Sequence, residues 1–178
     1  SLGYHENELI DFTPQLRAEA LKIAERYVRG PMYTPTTVVR EGGTQGSWVY
    51  PGYGGGANWN GGAFDPGTGL LFTPTRNAPM VAALTPADPA KTNWAFNRAP
   101  SEGIAGPQGL PILRPPWSLV TATDMNRGDH IWRRPLGGAP DEIRNHPALK
   151  GLKLDFDEMG HPGVRPGPLA TKSLLFLA

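Results

Sequence analysis

Cysteine is absent from this sequence of 178 residues. Its absence excludes disulfide bonds, thiol catalysis and cysteine-ligated metals, although it leaves the cellular compartment open. Acidic and basic residues nearly cancel, with a formal net charge of +1. No broad electrostatic field therefore favours nucleic acid or an acidic membrane surface as a partner. The sequence also contains no apolar run near the roughly 18 residues that a membrane span needs.

Glycine and proline are abundant instead, with 23 and 20 residues. This composition indicates many turns and long ordered loops rather than a helical protein. The length suffices for a hydrophobic core, and we expect a single domain over residues 1–178. One helix is predicted from Thr13 to Arg29, because Thr-Pro is a typical helix start and apolar residues follow it at helical spacing.

The pattern Ala-x-Asp-x-x-x-Gly occurs twice, at residues 63–69 and 122–128. Each copy lies between two short apolar segments and predicts a β-hairpin, in which Asp accepts hydrogen bonds from turn amides and Gly supplies a positive φ. Hairpins that recur at this distance predict adjacent blades of a β-propeller. The second copy continues to Trp132, which we expect to pack between blades. Thr73 stands at the same offset in the first copy, so its ring is expected to be missing.

Five further segments accompany this motif: residues 9–20, 55–59, 115–117, 145–152 and 168–172. Together, in this order and spacing, they resemble the pyrroloquinoline-quinone-dependent dehydrogenases, in particular their glucose-dehydrogenase-like branch. The resemblance implies a mainly β fold, a partial β-propeller made of antiparallel blades of an eight-bladed quinoprotein propeller, with one N-terminal helix and long loops. Members of this family are several times longer, so the chain is expected to be a C-terminal fragment of the propeller that is inactive alone.

The same resemblance implies a function for the longer protein. It would oxidise a sugar or alcohol with pyrroloquinoline quinone, and this chain would supply one wall of the cofactor pocket. Calcium would bind beside the cofactor, electrons would pass to a quinone or cytochrome acceptor, and the location would be periplasmic. The base and the calcium ligands of the family fall on blades expected before Ser1, so no catalytic residue or metal ligand is assigned in this chain.

Three residues are candidates for the cofactor site. Asn58 offers a donor and an acceptor for the carbonyls and carboxylates of a planar quinone, and Trp59 lies beside it in a segment that resembles a family strand pair near the cofactor. Trp117 corresponds to a family tryptophan that lies beside the quinone, although Ser118 replaces the usual Gly. The alternatives are an Asn that satisfies turn backbone and a Trp packed between blades. We expect Asn58 and Trp117 to lie close together, facing the central channel.

Other polar clusters are assigned structural roles. The glycines at 52–56 lack the Lys-Ser/Thr and helix of a phosphate loop. The acidic residues and His161 at 155–161 lack the spacing of a calcium loop, which predicts a solvated acidic loop. Asp65 and Asp124 are predicted turn residues rather than catalysts.

One long segment and the sheet edges carry further expectations. Residues 78–114 are predicted to form a long loop anchored by Trp94 and Phe96. A partial propeller leaves open sheet edges, so self-association is expected. The alternative function is a non-enzymatic β-propeller scaffold that binds protein or glycan, because a fold does not determine a function.

Overall fold

A computed structural model describes residues 2–100 and 102–178 of the chain. The fold is mainly β, as predicted, and within these residues neither α-helix is long and apolar enough to cross a membrane. The helices of this part of the chain are α1 (Pro14–Ala24) and α2 (Asp141–Arg144), with single 3-10 turns at Glu6–Glu8, Pro107–Gly109, Pro147–Leu149 and Phe156–Glu158. Its strands are β1 (Thr37–Val38), β2 (Ser47–Val49), β3 (Ala63–Asp65), β4 (Leu70–Arg76), β5 (Met80–Pro86), β6 (Phe96–Arg98), β7 (Ser118–Asp124), β8 (His130–Pro135), β9 (Pro168–Ala170) and β10 (Leu175–Leu177).

The chain divides into two compact units. The first unit comprises the described residues of 1–54 and 78–114, and the second comprises 55–77 and 115–178. Each unit has its own buried apolar residues. Those of the first include Leu9, Ile10, Leu16, Trp48, Leu110 and Ile112, and those of the second include Trp117, Val120, Ala122, Ile143, Leu149 and Met159.

Helix α1 begins in the first unit as predicted but ends five residues early. The Oγ1 atom of Thr13 accepts a hydrogen bond from the Leu16 amide at 3.1 Å, which caps the first turn. The predicted end at Arg29 is wrong, because Val28 is drawn into extended pairing with the chain before β2. Its amide donates to the Gly46 carbonyl and its carbonyl accepts from the Trp48 amide, both at 2.8 Å. These long-range bonds replace the intrahelical bonds that the last predicted turn would make.

The sheet of the first unit is built around β5. Strands β2 and β6 pair with it antiparallel, and the two-residue β1 pairs parallel. The prediction of a long loop over residues 78–114 is therefore wrong, since this segment supplies the central strand β5. Trp94 and Phe96 are also not its anchors, being 73% and 47% exposed. The buried residues of β5 are Ala82 and Ala83, and alanine has a low strand propensity, so the strand signal was weak.

The sheet of the second unit has the order β3-β4-β7-β8. Both predicted hairpins are present, but they belong to one four-stranded antiparallel sheet rather than to adjacent blades. Strands β4 and β7 pair over seven residues, from Leu70 opposite Asp124 to Arg76 opposite Ser118. The sequence distance between the hairpins reflects the excursion of residues 77–117 and not a blade period. A separate hairpin, β9-β10, follows, and β9 contacts β3.

The two Asp-containing turns are equivalent, as predicted. Asp65 Oδ1 accepts from the amide two residues later at 2.9 Å, and Asp124 Oδ1 does the same at 2.8 Å. Their carbonyls accept from the amides of Gly69 and Gly128, which have φ of 72° and 79°. Hydrogen bonds from the Thr68 hydroxyl and then from the Gly67 amide lower the pKa of Asp65. Both carboxylates therefore stabilise turns, in agreement with their predicted role.

A row of alternating small and large side chains crosses this sheet. Ala63, Phe72, Ala122 and Trp132 are paired in succession across the four strands. Directly paired residues share one face of a sheet. The small, buried Ala122 lets the flanking rings of Phe72 and Trp132 meet, with 5.8 Å between their centroids. The observed ring contact of Trp132 thus lies within its own sheet.

This row corrects the prediction that the first motif copy has no aromatic ring. Ala63 pairs with Phe72, nine residues later, whereas Ala122 pairs with Trp132, ten residues later. The difference is a β-bulge, because the register shifts by one residue between Ala122 and Thr123. Phe72, and not Thr73, is therefore the structural equivalent of Trp132.

We expect the rings of Phe72 and Trp132 to stabilise the sheet jointly. A double-mutant cycle with Phe72→Ala and Trp132→Ala, measured by urea denaturation, should give a coupling energy of about 0.5–1.5 kcal/mol. The control cycle pairs Trp132→Ala with Phe64→Ala, since Phe64 neighbours Ala63 along β3 and so lies on the opposite face. That cycle should be additive. Additivity in both cycles would contradict the proposed contact.

Candidate functional site

A narrow cleft in the second unit is lined by three segments. They are the loop before β3, the end of β4 and the segment before β9. The polar lining residues are Asn58, Asn60, Thr75, Arg76 and Arg165, and the others are Gly56, Gly61, Pro74, Val164 and Pro166. The described lining carries amide and guanidinium groups but no carboxylate side chain. This donor set suits a planar or anionic ligand with several oxygen acceptors.

Backbone hydrogen bonds hold the loop before β3 in place. The Arg76 amide donates to the Gly56 carbonyl at 3.0 Å, which ties the loop to the end of β4. The Gly61 amide donates to the Asn58 carbonyl at 3.0 Å, and Gly61 has a φ of 83°, which favours glycine. The side-chain amide of Asn60 donates to the Arg165 carbonyl at 2.9 Å. The loop is therefore fixed to both other walls of the cleft.

Asn58 lies in this cleft, and it also has a local role. It is half-buried, and its Oδ1 atom accepts a hydrogen bond from the Trp59 amide at 2.7 Å. This bond is the turn-satisfying contact that the sequence left open as an alternative. The two roles are compatible, because the same contact holds the side chain at the cleft wall.

The two candidate tryptophans have opposite environments. Trp59 is 91% exposed and lies outside the lining of the cleft. Trp117 is 1% exposed, and its backbone is held by hydrogen bonds from its amide to Met159 and from Asn77 to its carbonyl, both at 2.8 Å. The burial of Trp117 favours the packing alternative. Its contact with a cofactor, and that of Trp59, stay predictions.

The loop of Asn58 and the backbone of Trp117 are hydrogen-bonded to adjacent residues at the end of β4. Arg76 bonds through its amide to the loop of Asn58, and Asn77, the next residue, bonds through its amide to Trp117. The side-chain amide of Asn77 also donates to the Pro116 carbonyl at 2.8 Å. The end of β4 thus organises both sequence-predicted segments.

Ser118 has a structural explanation for its place after Trp117. Its φ is not in the positive range, so the usual glycine is not needed for backbone conformation. The Oγ atom is buried, donates to the Leu136 carbonyl at 3.1 Å and accepts from the His161 amide at 3.0 Å. The hydroxyl therefore connects β7 to the segment of residues 159–161.

Arg76 is the residue that sequence reasoning missed. Its Nε atom is buried and has no hydrogen-bond partner among the described residues. Burial, and then the charge of Arg165, lower the pKa of this guanidinium. The sequence contained one indication of this position. Side chains alternate between the two faces of a strand, so Arg76 lies on the same face of β4 as the buried Pro74. An arginine at such an inward position is unusual without a partner.

The side chains of Asp155, Asp157 and Glu158 are exposed to solvent, in agreement with the predicted solvated loop. Asp155 accepts from the Asp157 amide at 3.2 Å, Asp157 forms an ion pair with Arg144, and the His161 ring accepts from the Gly163 amide at 3.0 Å. Within residues 2–100 and 102–178, no group of three or more His, Asp or Glu side chains is arranged to hold a metal ion.

These features define a mainly β chain with a polar cleft at the end of β4. The sequence model described as "PQQ: Glucose/ethanol/alcohol dehydrogenase, beta-propeller domain" matches residues 1–178. The chain therefore belongs to this family, and its fold is a partial β-propeller of quinoprotein dehydrogenase type.

Several curated proteins are similar to the chain. Quinoprotein glucose dehydrogenase A of Acinetobacter calcoaceticus is 24% identical over 144 residues, covering 72% of this chain and 17% of that protein. The glycerol dehydrogenase large subunit of Gluconobacter thailandicus is 30% identical over 119 residues, covering 52% and 16%. Quinate/shikimate dehydrogenase (quinone) of Acinetobacter baylyi is 29% identical over 157 residues, covering 76% and 19%. The chain thus spans less than a fifth of the length of these relatives. No solved structure matches it significantly.

Proposed function

We propose that this chain is part of a quinoprotein dehydrogenase that oxidises a sugar or alcohol with pyrroloquinoline quinone. The chain supplies one wall of the cofactor pocket. The observation that carries the proposal is the cleft in which Asn58 lies with Asn60, Arg76 and Arg165. The names of the similar proteins, which include glucose and glycerol dehydrogenases, favour a polyhydroxylated substrate.

The residues of the cleft fit such a cofactor. Asn amides can both donate to and accept from quinone and pyrrole groups, and guanidinium groups pair with carboxylates. The buried Nε atom of Arg76 has no acceptor in the described structure, and an unsatisfied buried donor costs about 1–3 kcal/mol. When bound, the quinone accepts the two electrons released by the substrate, while these residues bind and orient it.

The remaining parts of the proposal concern the longer protein and the association of this chain. Calcium would be held, and the substrate proton accepted, by carboxylates elsewhere in the longer protein. Electrons would pass to a quinone or cytochrome acceptor, and the protein would work in the periplasm. The isolated chain would self-associate through its open sheet edges.

Replacing Asn58 by alanine should weaken quinone binding. The loss of one hydrogen bond to a buried ligand typically costs about 1–3 kcal/mol, so we expect the dissociation constant to rise about 5- to 150-fold. The measurement is a titration of pyrroloquinoline quinone into the calcium-loaded, full-length apoprotein, followed by quinone absorbance. Asn97→Ala is the matched control, because Asn97 is an exposed residue of β6 in the first unit.

Two results would go against this proposal in different ways. Equal affinity in wild type and Asn58→Ala would leave Asn58 with its turn contact alone. A wild-type protein that binds no quinone in the presence of calcium would instead favour the scaffold alternative. A screen of sugars and alcohols with an artificial electron-accepting dye would then identify the substrate of a protein that does bind.

A further inference from the structure

The loop before β3 contains the single Asn-Gly pair of the sequence, Asn60-Gly61. Glycine has no Cβ, so the amide nitrogen that follows this asparagine is not shielded by a side chain. Both residues are exposed to solvent, and no atom beyond the chain neighbours lies within 4 Å of the position that a Cβ would occupy at Gly61. Asn60 is therefore the asparagine of this chain whose side chain can most readily react with the main chain.

Hydrogen bonds of the folded loop restrain both of the groups that would react. The Gly61 amide, which would attack, donates to the Asn58 carbonyl at 3.0 Å. The Asn60 Nδ2 group, which would leave, donates to the Arg165 carbonyl at 2.9 Å. Attack requires the nitrogen to leave the first bond and the side chain to turn away from the second. The reaction must therefore proceed from a locally opened loop.

Loss of the Asn60 amide would change how this loop is held. The contact with Arg165 ties the loop to the segment before β9. A carboxylate accepts hydrogen bonds but does not donate them, and the Arg165 carbonyl also only accepts, so this bond would be lost. In the isoaspartyl product the main chain is longer by one carbon, which would also disturb the bond from Gly61 to Asn58. Deamidation would therefore release the loop from its contacts.

We propose that Asn60 is a site of spontaneous deamidation and that the hydrogen bonds of its own loop control the rate. The Gly61 nitrogen bonds to Cγ of Asn60, the bond from Cγ to Nδ2 breaks, and the amide proton leaves with the ammonia. Water then opens the cyclic imide at either carbonyl and gives aspartate or isoaspartate. The net reaction consumes water and releases ammonia, so it needs no oxidant, reductant or enzyme. It is independent of whether the protein binds a quinone.

The test incubates the full-length protein at mildly alkaline pH, with and without denaturing urea, and maps tryptic peptides by mass spectrometry. Trypsin cuts after Arg40 and Arg76, so the peptide of residues 41–76 contains Asn60. Each event raises its mass by about one dalton, because a hydroxyl group replaces the amine. A sample taken at the start corrects for reaction during digestion. The rate should be about 5-fold or more lower in the native protein than in urea, because two hydrogen bonds must open first.

Two other asparagines are internal controls. Asn77 also donates from its side-chain amide to a carbonyl, that of Pro116 at 2.8 Å, but alanine follows it. Asn97 is exposed, but arginine follows it. Their tryptic peptides, residues 77–91 and 92–98, should change far more slowly in urea than the peptide of Asn60. This comparison separates the effect of the following glycine from the effects of exposure and hydrogen bonding.

Asn60→Gln is the matched variant, because glutamine keeps the amide but would have to close a larger ring. In urea, where folding of the variant does not matter, the peptide of residues 41–76 should then keep its mass, although it still contains Asn58. A wild-type peptide that keeps its mass in urea, or a variant peptide that changes as fast as wild type, would overturn the assignment to Asn60. Equal rates for the wild-type protein in its native state and in urea would overturn the control by the loop.

The released loop has a separate measurement. Deamidated native protein carries an additional negative charge and can be isolated by ion exchange. In this fraction the Gly61 amide, which donates to Asn58 in the unmodified loop, should exchange its hydrogen faster than in unmodified protein. The Asn77 amide, which donates to the Trp117 carbonyl, should exchange at an unchanged rate. Equal exchange of the Gly61 amide in both forms would show that the loop keeps its contacts after deamidation, against the proposal.

Discussion

Replacement of Trp117 by alanine should lower the free energy of unfolding by about 3–5 kcal/mol. Trp117 is one of the largest fully buried side chains of the described structure, with 1% of its surface exposed. Removing the ring would leave a cavity among the apolar residues of the second unit, because close-packed interiors relax only partly around a lost side chain. The backbone hydrogen bonds to Met159 and Asn77 do not involve the ring and would remain.

The control for this experiment is a second tryptophan from the same set of candidate site residues. Trp59 is 91% exposed, so Trp59→Ala should change the free energy of unfolding by no more than about 0.5 kcal/mol. Urea denaturation of the full-length protein, followed by circular dichroism, measures both variants. If the two variants were equally stable, Trp117 would not have the packing role that its burial indicates.

The second large effect is expected for Gly160→Ala. Gly160 has a φ of 68°, and an alanine Cβ there would lie 2.5 Å from the Ser118 carbonyl oxygen and 2.9 Å from its nitrogen. The left-handed conformation costs about 1–2 kcal/mol for a residue with a side chain, and the overlap with backbone adds about 1–3 kcal/mol. We therefore expect a total loss of about 2–5 kcal/mol of unfolding free energy.

Gly128→Ala separates these two contributions. Gly128 has a similar φ of 79°, but nothing lies within 4 Å of the added methyl group. This variant should lose only the conformational part, about 1–2 kcal/mol, in the same urea experiment. A Gly160→Ala variant no less stable than Gly128→Ala would show that the segment of residues 159–161 does not press against Ser118.

The first consequence of Gly160→Ala concerns the candidate site. In this segment, the Met159 carbonyl accepts a hydrogen bond from the Trp117 amide, and the His161 amide donates to the Ser118 hydroxyl. Displacement of this segment would therefore loosen the start of β7, which is paired with Arg76 at the end of β4. Quinone affinity should fall in this variant together with stability, whereas Asn58→Ala should lower affinity with little change in stability.

Local interactions were predictable from the sequence. The Thr13 cap and the Asp65 and Asp124 turns depend on atoms two to four residues apart, so the residue types alone determine them. The family also followed from the sequence, because its motifs are short segments in a particular order. The mainly β class followed for the same reason, since glycine, proline and the repeated hairpin pattern are local signals.

Contacts between distant residues decided the rest. The two hairpins share one sheet because β4 pairs with β7 over seven residues, and no local sequence pattern predicts which strand β4 pairs with. Helix α1 ends at Ala24 because Val28 pairs near β2. The β-bulge that aligns Phe72 with Trp132 is visible only in the register of paired strands.

The candidate site was likewise predictable from local sequence only in part. Asn58 could be named from its motif, but the sequence could not show that Trp59 is exposed and Trp117 buried, since burial depends on which elements fold over each ring. Arg76 and Arg165 are 89 residues apart in the chain and carry no shared motif. The sequence by itself determined the turns, the cap and the family. Only the tertiary structure placed two positive charges in one cleft, because long-range strand pairing and the Asn60 contact bring their segments together.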